Sequence, residues 1–466
     1  MKPTPTVEKA EIEAQIAVMR QIKLNNKEGA KALVETYGCQ QNVNDSERLK
    51  GMLAEMGYTM TESRDEADII LMNTCAVRDN AEQRVFGNLG ALKHLKEKKP
   101  ELIIGICGCM PQQAAVAERI KAKYRHVDLI FGTHALYRFP SLLAEAIEHR
   151  SRIVDIDGEG RIAEGLPTLH DGGAKAFVSI MYGCNNFCSY CVVPYVRGRE
   201  RSRSADDVLT EIRSLVDSGV KEVMLLGQNV NSYGNDRGET DAFARLLRQV
   251  NEIDGLERIR FMSSHPKDIS DELIKTMAEC PKICHQLHLP LQSGSDRVLK
   301  DMNRRYTSGR YLEIVERARE LMPDLSLTTD IIVGFPSEER SDFEATLDVL
   351  RKARCDSIFS FIFSPREGTP AAKMESRATD EEKSAWFQEM LDVQNAISAE
   401  LNAAYEGKIQ EILVEGPSKH EPDMLMGRNY ANKIVNFKGD NSLKDKLIKV
   451  KITKTQTWVL YGELVE

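Results

Sequence analysis

Cys184, Cys188 and Cys191 in the stretch YGCNNFCSYCVVP are spaced C-x3-C-x2-C, and no fourth cysteine follows within the next eighty residues. Thiolates at such spacing bind metal. On a cuboidal iron–sulfur cluster, three thiolates satisfy three irons and leave the fourth open. An open iron can chelate a small molecule through amine and carboxylate groups. The alternative is a zinc site completed by a distant residue such as His265, His285 or His288. Zinc knuckles favour paired C-x2-C units, and only one such unit is present.

A second trio is spread through the N-terminal third. Cys39 closes the apolar run in VETYGCQQN, Cys75 the run in LMNTCAVRDN, and Cys109 the run in GICGCMPQQ. A helical pattern follows each one. If the runs are neighbouring strands of a parallel sheet, their carboxyl ends emerge on one edge and the three thiols converge. Helix N-termini beside them would favour an anionic thiolate cluster. The alternative is three unrelated buried cysteines, a common residue of protein cores. Cys107, two residues before Cys109 and inside its run, could be the ligand instead; Cys109 is nearest the turn and is the one chosen. Cys280, Cys284 and Cys355 show no partner pattern and read as packing residues.

The elements that must position these cysteines follow from hydrophobic periodicity. Residues 1–30 are polar and read as a tail or a loosely docked helix. From residue 31, KALVETYG, ADIILMNT and LIIGICG alternate with helical stretches, which implies a parallel sheet covered by helices over 31–150. Residues 151–172, rich in Gly and charge, read as a linker. A second alternation over 173–404 has six strand candidates: AFVSIMY, EVMLLGQ, RIRFMSS, HQLHLPLQ, SLTTDIIVGF and SIFSFIF. Six β/α units can form an open, TIM-like partial barrel with its site at the carboxyl ends of the strands. A long charged helix near its end leads to short strands over 405–466, which suggest a small all-β barrel.

Composition sets the surroundings. The chain has 466 residues, 42% hydrophobic and 29% charged, an ordinary globular balance. A net charge of -8 means that any polyanion must be held by local basic patches and not by the overall field. The start lacks a secretory pattern and no apolar run approaches the ~20 residues of a bilayer span. The expectation is a cytoplasmic protein without membrane contact, whose cysteines are ligands or thiols and not disulfides.

With Tyr190 as the aromatic, the C-x3-C-x-aromatic-C motif resembles the radical S-adenosylmethionine signature. The resemblance implies that the open iron binds the amino and carboxylate groups of S-adenosylmethionine, and that electron transfer cleaves it to a 5′-deoxyadenosyl radical. Two trios ahead of a small β-barrel resemble the methylthiotransferases of that superfamily over essentially the whole chain after the tail. This implies a methylthiotransferase domain, a radical core and a TRAM domain. It implies two 4Fe–4S clusters, on Cys184, Cys188 and Cys191 and on Cys39, Cys75 and Cys109. Two S-adenosylmethionine molecules serve each turnover, one as methyl donor and one as radical source. ETYGCQQN, MNTCAVRDNAE, GRERSRS, LLGQNVNSYG and LPLQSGS look like the bacterial branch that converts isopentenyladenosine, next to the anticodon of tRNA, to its 2-methylthio form. Partners implied are that tRNA anticodon stem-loop and an electron donor such as flavodoxin or ferredoxin, with the chain a monomer. Sister enzymes acting on threonylcarbamoyladenosine or on a ribosomal-protein aspartate, and a non-catalytic zinc and RNA-binding protein, are the alternatives.

Other residues are placed by their positions. GRERSRS sets Arg197, Arg199, Arg201 and Arg203 at every second position, suited to phosphate contacts or to a salt-bridged loop. Gln228, Ser264, Gln292 and Asp330 lie at or near strand ends and, with Tyr190, are expected to line the cosubstrate site. Asn229 could hold the cosubstrate or read a base edge, and Asn231 reads as a turn residue. In the barrel, MGRNYANKIVNF groups Arg428, Tyr430 and Lys433, a stacking aromatic beside cations suited to loop RNA. SLKDKLIKVKITKT places several lysines on and beside one strand. GFPSEE reads as a strand-to-helix turn with a Ser cap.

Overall fold

The structure, a computed structural model, describes residues 6–76, 79–156 and 158–465. The first five residues of the tail, Val77 and Arg78 of MNTCAVRDNAE, Asp157 of the linker and Glu466 lie outside the described residues.

The N-terminal domain is built on six parallel strands. In chain order its elements are α1 (Lys9–Asn25), β1 (Lys31–Tyr37), α2 (Gln40–Glu55), β2 (Thr59–Met60), β3 (Ile69–Thr74), α3 (Asp79–Lys98), β4 (Ile103–Gly108), α4 (Ala114–Lys123), β5 (Leu129–Gly132), α5 (Phe139–His149) and β6 (Ile153–Asp155). The strand order is β2-β1-β3-β4-β5-β6. Every residue of β3 is buried, as a strand covered on both faces must be. The polar tail is more structured than its composition suggests. Helix α1 packs on α5 and turns Met19 fully inward, with Ile12 and Ile22 beside it. The sheet also runs past residue 150, because β6 pairs with β5 from Ile153 to Asp155.

The second region carries β7 (Lys175–Ser179), β8 (Met181–Tyr182), α6 (Val193–Val196), β9 (Arg201–Ser202), α7 (Ala205–Asp217), β10 (Glu222–Leu226), α8 (Ala242–Asn251), β11 (Arg258–Phe261), α9 (Asp271–Glu279), β12 (Gln286–His288), α10 (Asp296–Asp301), α11 (Ser308–Leu321), β13 (Ser326–Val333), α12 (Arg340–Ala353) and β14 (Ser357–Ile362). Strands β7, β10 and β11 form one parallel sheet, and β12, β13 and β14 another. A parallel bridge from Ile259 to Ile283 joins them, so six strands follow one another in chain order around one apolar core. This is the expected open β/α barrel. Helix α12 is capped by Glu339 in a reciprocal box with Asp342, not by the expected Ser.

Helix α13 (Asp380–Ala403) leads to a closed barrel of β15 (Ile409–Pro417), β16 (Leu425–Arg428), β17 (Ile434–Phe437), β18 (Leu447–Thr455) and β19 (Leu460–Leu464). The segment β16, LMGR, has little apolar alternation and was not expected as a strand. The barrel is clamped to the core. Arg258 Nη1 donates to the Arg428 carbonyl at 3.0 Å, and Arg260 Nη2 to the Asn429 carbonyl at 2.8 Å. Tyr430 turns its hydroxyl to the Pro281 carbonyl at 3.0 Å, and Lys433 pairs with Asp356 at 2.6 Å. Arg428 pairs with Glu415 at 3.1 Å. Arg428, Tyr430 and Lys433 therefore make polar contacts within the chain, Tyr430 and Lys433 across the junction of barrel and core. The same chemistry that suits a nucleic acid, cations beside a ring, serves here to dock one domain on another.

Candidate metal centres

Parallel register brings the N-terminal cysteines together. Tyr37 stands opposite Thr74, and Thr74 opposite Gly108. Cys39, Cys75 and Cys109 follow within two residues of those strand ends, on the edge where α2 and α3 begin. The Cys109 amide donates to the Thr74 carbonyl at 2.8 Å. A Cβ on Gly38 would lie 2.6 Å from Cys75 Cβ, so the first two loops touch. Cys39 is exposed, and a bond from Cys75 together with the nearby Arg197 charge draws its thiol down to about 6. Burial pushes the Cys109 thiol up to about 11. Cys107 is fully buried in the apolar core that includes Leu71 and Phe131.

The second trio occupies the loop between β8 and α6. Neighbouring turns pin its backbone. Asn303 Nδ2 donates to the Asn186 and Phe187 carbonyls at 3.1 and 2.9 Å, and the Ser189 amide to the Met302 carbonyl at 3.0 Å. Cys184 and Cys188 are buried and Cys191 is half-buried; burial raises the thiols of Cys184 and Cys191 to about 11 and about 12. Arg304, 5% exposed, directs Nη1 to Cys188 Sγ at 3.6 Å; its other bonds go to the Tyr306 hydroxyl and the Pro290 carbonyl. Arg304 makes no carboxylate ion pair among the described residues. A buried guanidinium that faces sulfur and no carboxylate calls for anionic charge at the thiols. That chemistry fits three thiolates on an iron–sulfur cluster. Among the described residues, no three such side chains are already drawn into a coordination shell. The case for each centre is loop placement and the cation it faces.

The two loops meet. Ala76 and Cys109 from one domain form a small buried cluster with Val192 and Val196 from the other. Arg197, directly after α6, reaches Cys109 Sγ with Nε at 3.2 Å and Asp45 with Nη2 at 2.8 Å. Gln41 on α2 bonds the Ser179 hydroxyl at 2.7 Å and lies 3.5 Å from the Gln228 amide.

The sequence-derived residues divide accordingly. Arg197, Arg201 and Arg203 are buried, so they do not form an exposed comb of arginines. Arg203 is enclosed by Glu164 at 2.7 Å and Glu211 at 2.6 Å, and Arg201 bonds the carbonyls of Arg199 and Arg197. Arg199 alone of the four is exposed, 4.3 Å over the Phe187 ring. Gln228 accepts from the Gly183 amide, so it holds the cysteine loop. Ser264 keeps a buried, unpartnered hydroxyl, and unpartnered polar atoms of His265, Asn229 and Asn231 occur on the same strand ends. Asp330 lies 3.5 Å from His288 Nε2. Gln292 is bridged through its backbone to β13, with the Gln292 amide donating to the Asp330 carbonyl at 2.8 Å. Tyr190 packs with Val298, Met302 and Phe335. Arg304 escaped sequence reasoning, since NRRY carries no spacing signal. Trp458, 56% exposed, and Lys449 and Lys451 of β18 are open to solvent on the barrel.

Comparison with known proteins agrees with this layout. The chain matches the Radical SAM superfamily over residues 178–350, the uncharacterized protein family UPF0004 over 31–132, and the TRAM domain over 403–465. It is 54% identical over 442 residues, 94% of this chain and 92% of the relative, to a tRNA-2-methylthio-N(6)-dimethylallyladenosine synthase of Acetivibrio thermocellus. It is 52% identical over 457 residues, 98% of this chain and 97% of the relative, to a protein of that name from Alkaliphilus oremlandii. Among solved structures, a radical S-adenosylmethionine methyltransferase, TsrM, from Kitasatospora setae superposes with a TM-score of 0.54 at 14% identity, covering 74% of this chain and 75% of the other.

Proposed function

The chain belongs to the tRNA-2-methylthio-N(6)-dimethylallyladenosine synthases, a family of radical S-adenosylmethionine tRNA methylthiotransferases, and on that premise we propose how its residues divide the work. The reaction is methylthiolation at C2 of isopentenyladenosine next to the anticodon of tRNA. Cys184, Cys188 and Cys191 would hold one 4Fe–4S cluster and Cys39, Cys75 and Cys109 the other. When bound, these clusters and two S-adenosylmethionine molecules supply the methyl group, the sulfur and the radical chemistry.

The chain's own contribution is placement. Gln228 and Asn303 fix the loop of the radical trio, Arg304 sets a positive charge against it, and Arg197 joins the N-terminal trio to the radical core. Ser264 and its unpartnered neighbours offer hydrogen bonds at the ends of β10 and β11, where a polar cosubstrate would satisfy them. Lys449, Lys451 and Trp458 supply cations and a stacking surface for RNA. The observation that carries the reading is the contact of the two loops through Arg197 and Cys109. The reading extends to a monomer in the cytoplasm, served by a one-electron donor such as flavodoxin or ferredoxin. The cysteines form no disulfide among the described residues, which suits a reducing compartment.

Nucleoside mass spectrometry tests it. tRNA from cells lacking the gene should carry unthiolated isopentenyladenosine, and wild-type protein should restore the 2-methylthio form. Thiolation of threonylcarbamoyladenosine instead would move the chain to a sister branch.

A further inference from the structure

The seam between the N-terminal domain, the linker and the loop after β8 forms a partly open pocket with about 50 Å³ of solvent space. A single water needs only ~10–15 Å³ of such space, so the cavity has room for a small polyatomic ion. Its lining holds four arginines, Arg48, Arg161, Arg197 and Arg201, against one carboxylate, Asp45. Arg161 is answered by Glu11 from outside the lining at 2.6 Å, and Arg197 by Asp45 at 2.8 Å. Arg48 and Arg201 make no ion pair among the described residues. Arg201 is 7% exposed, meets only the carbonyls of Arg199 and Arg197, and leaves Nε without a partner. Arg48 stands 5.7 Å over the Tyr182 ring, and the buried Tyr182 hydroxyl has no partner either.

The neighbouring acids are committed elsewhere. Glu164 and Glu211 are taken by Arg203, and Asp236 by Ser202. Asp45 is held between Arg197 and Gln41. The linker crosses directly over Arg201. A Cβ on Gly160 would lie 2.6 Å from the guanidinium carbon, so a side chain there would displace the guanidinium. A buried and a half-buried cation without acids of their own, beside a buried hydroxyl with no acceptor, are costly unless an anion answers them.

We propose that this cavity binds one tetrahedral oxyanion of the phosphate class, held by Arg48, Arg201 and the Tyr182 hydroxyl. The ligand is a free inorganic ion or a single phosphodiester group of a bound RNA.

Isothermal titration of the full chain with sodium phosphate, at ionic strength matched with sodium chloride, tests it. Wild type should bind at one site. Tyr182→Phe removes an oxygen that has no partner in the chain, so its melting temperature in chloride should be unchanged while phosphate binds about tenfold more weakly. Arg48→Met should give no measurable heat. A titration of wild type and Tyr182→Phe with an anticodon stem-loop in phosphate-free buffer separates the sources. RNA affinity that falls in step with phosphate affinity identifies a phosphodiester; unchanged RNA affinity identifies the free ion. Equal phosphate binding by wild type, Tyr182→Phe and Arg48→Met, or none by wild type at millimolar phosphate, overturns the proposal.

Discussion

Arg197 Nε lies 3.2 Å from Cys109 Sγ, although the two residues come from different domains. The same guanidinium pairs with Asp45 at 2.8 Å, and both partners are about 6–7% exposed. Removing one member of a buried pair strands the other charge, at a cost of about 3–5 kcal/mol. Arg197→Ala should therefore lose stability of that order in chemical denaturation. Asp45→Asn, which keeps a hydrogen-bond acceptor, should lose less. A change under about 1 kcal/mol for Arg197→Ala would mean that the seam is held elsewhere.

The trios should separate in metal analysis. Two four-iron clusters correspond to about eight irons per chain after anaerobic reconstitution. Cys188→Ala should lose about half of that iron and all reductive cleavage of S-adenosylmethionine. Cys75→Ala should also lose about half, yet keep some cleavage while methylthiolation disappears. Normal methylthiolation by the Cys75 variant would refute the division, and near-zero iron in wild type would favour zinc.

Gly38 is a steric test of the N-terminal trio. A methyl group there would meet Cys75 Cβ at 2.6 Å, backbone-borne on both sides. Gly38→Ala should shed iron from this trio alone, leaving the radical trio's iron and S-adenosylmethionine cleavage in place. Full iron content in the variant would place Cys75 outside the ligand set.

Glu338 provides a pH dependence. It is 1% exposed, and burial pushes its carboxyl up to about 7. The folded chain thus holds this proton more tightly than the unfolded chain. Below the ordinary carboxyl range both states are protonated and no cost arises. As pH rises towards about 7 only the unfolded chain ionises freely, and folding stability falls by up to roughly 3 kcal/mol. Glu338→Gln should match wild type at acidic pH and exceed it above neutrality in urea titrations. Parallel pH curves for the two proteins would remove Glu338 as the cause.

At the barrel junction, Arg260 pairs with the buried Glu222 at 3.1 Å and donates to the carbonyls of Tyr430 and Asn429 at 3.0 and 2.8 Å. Arg260→Met should cost roughly 3 kcal/mol. Hydrogen exchange should speed up in β16 and β17 while the N-terminal sheet stays protected. Unaltered exchange there would show that Tyr430 and Lys433 hold the barrel without it.

Much of this was legible in the sequence, because strand ends are periodic. Cys39, Cys75 and Cys109 each follow an apolar run by one or two residues, and parallel register converts that regularity into proximity. The six strands of the radical core announced themselves in the same way. What the sequence hides is direction. The alternating arginines of GRERSRS look like a phosphate comb, yet Arg197, Arg201 and Arg203 point inward, where Arg197 meets Asp45, Arg203 meets Glu164 and Glu211, and Arg201 meets backbone carbonyls. GRNYANK has the composition of an RNA contact, but Asp356 and the Pro281 carbonyl claim its cation and its ring. Strand β16 is hard to see because Gly427 and Arg428 dilute its alternation, and α1, legible as a loosely docked helix, hides how firmly it docks because its polar majority conceals the buried stripe of Ile12, Met19 and Ile22.

The bolts that Arg258 and Arg260 drive into the barrel backbone give the molecule the character of a pair of dividers locked at one opening. One leg is the lysine face of β18, the other the cysteine loops. On the proposed function, a nucleic acid seated on the first leg would bring to the second only the nucleotide at the matching reach. Selection of a single base would then follow from span, before any edge of that base is read.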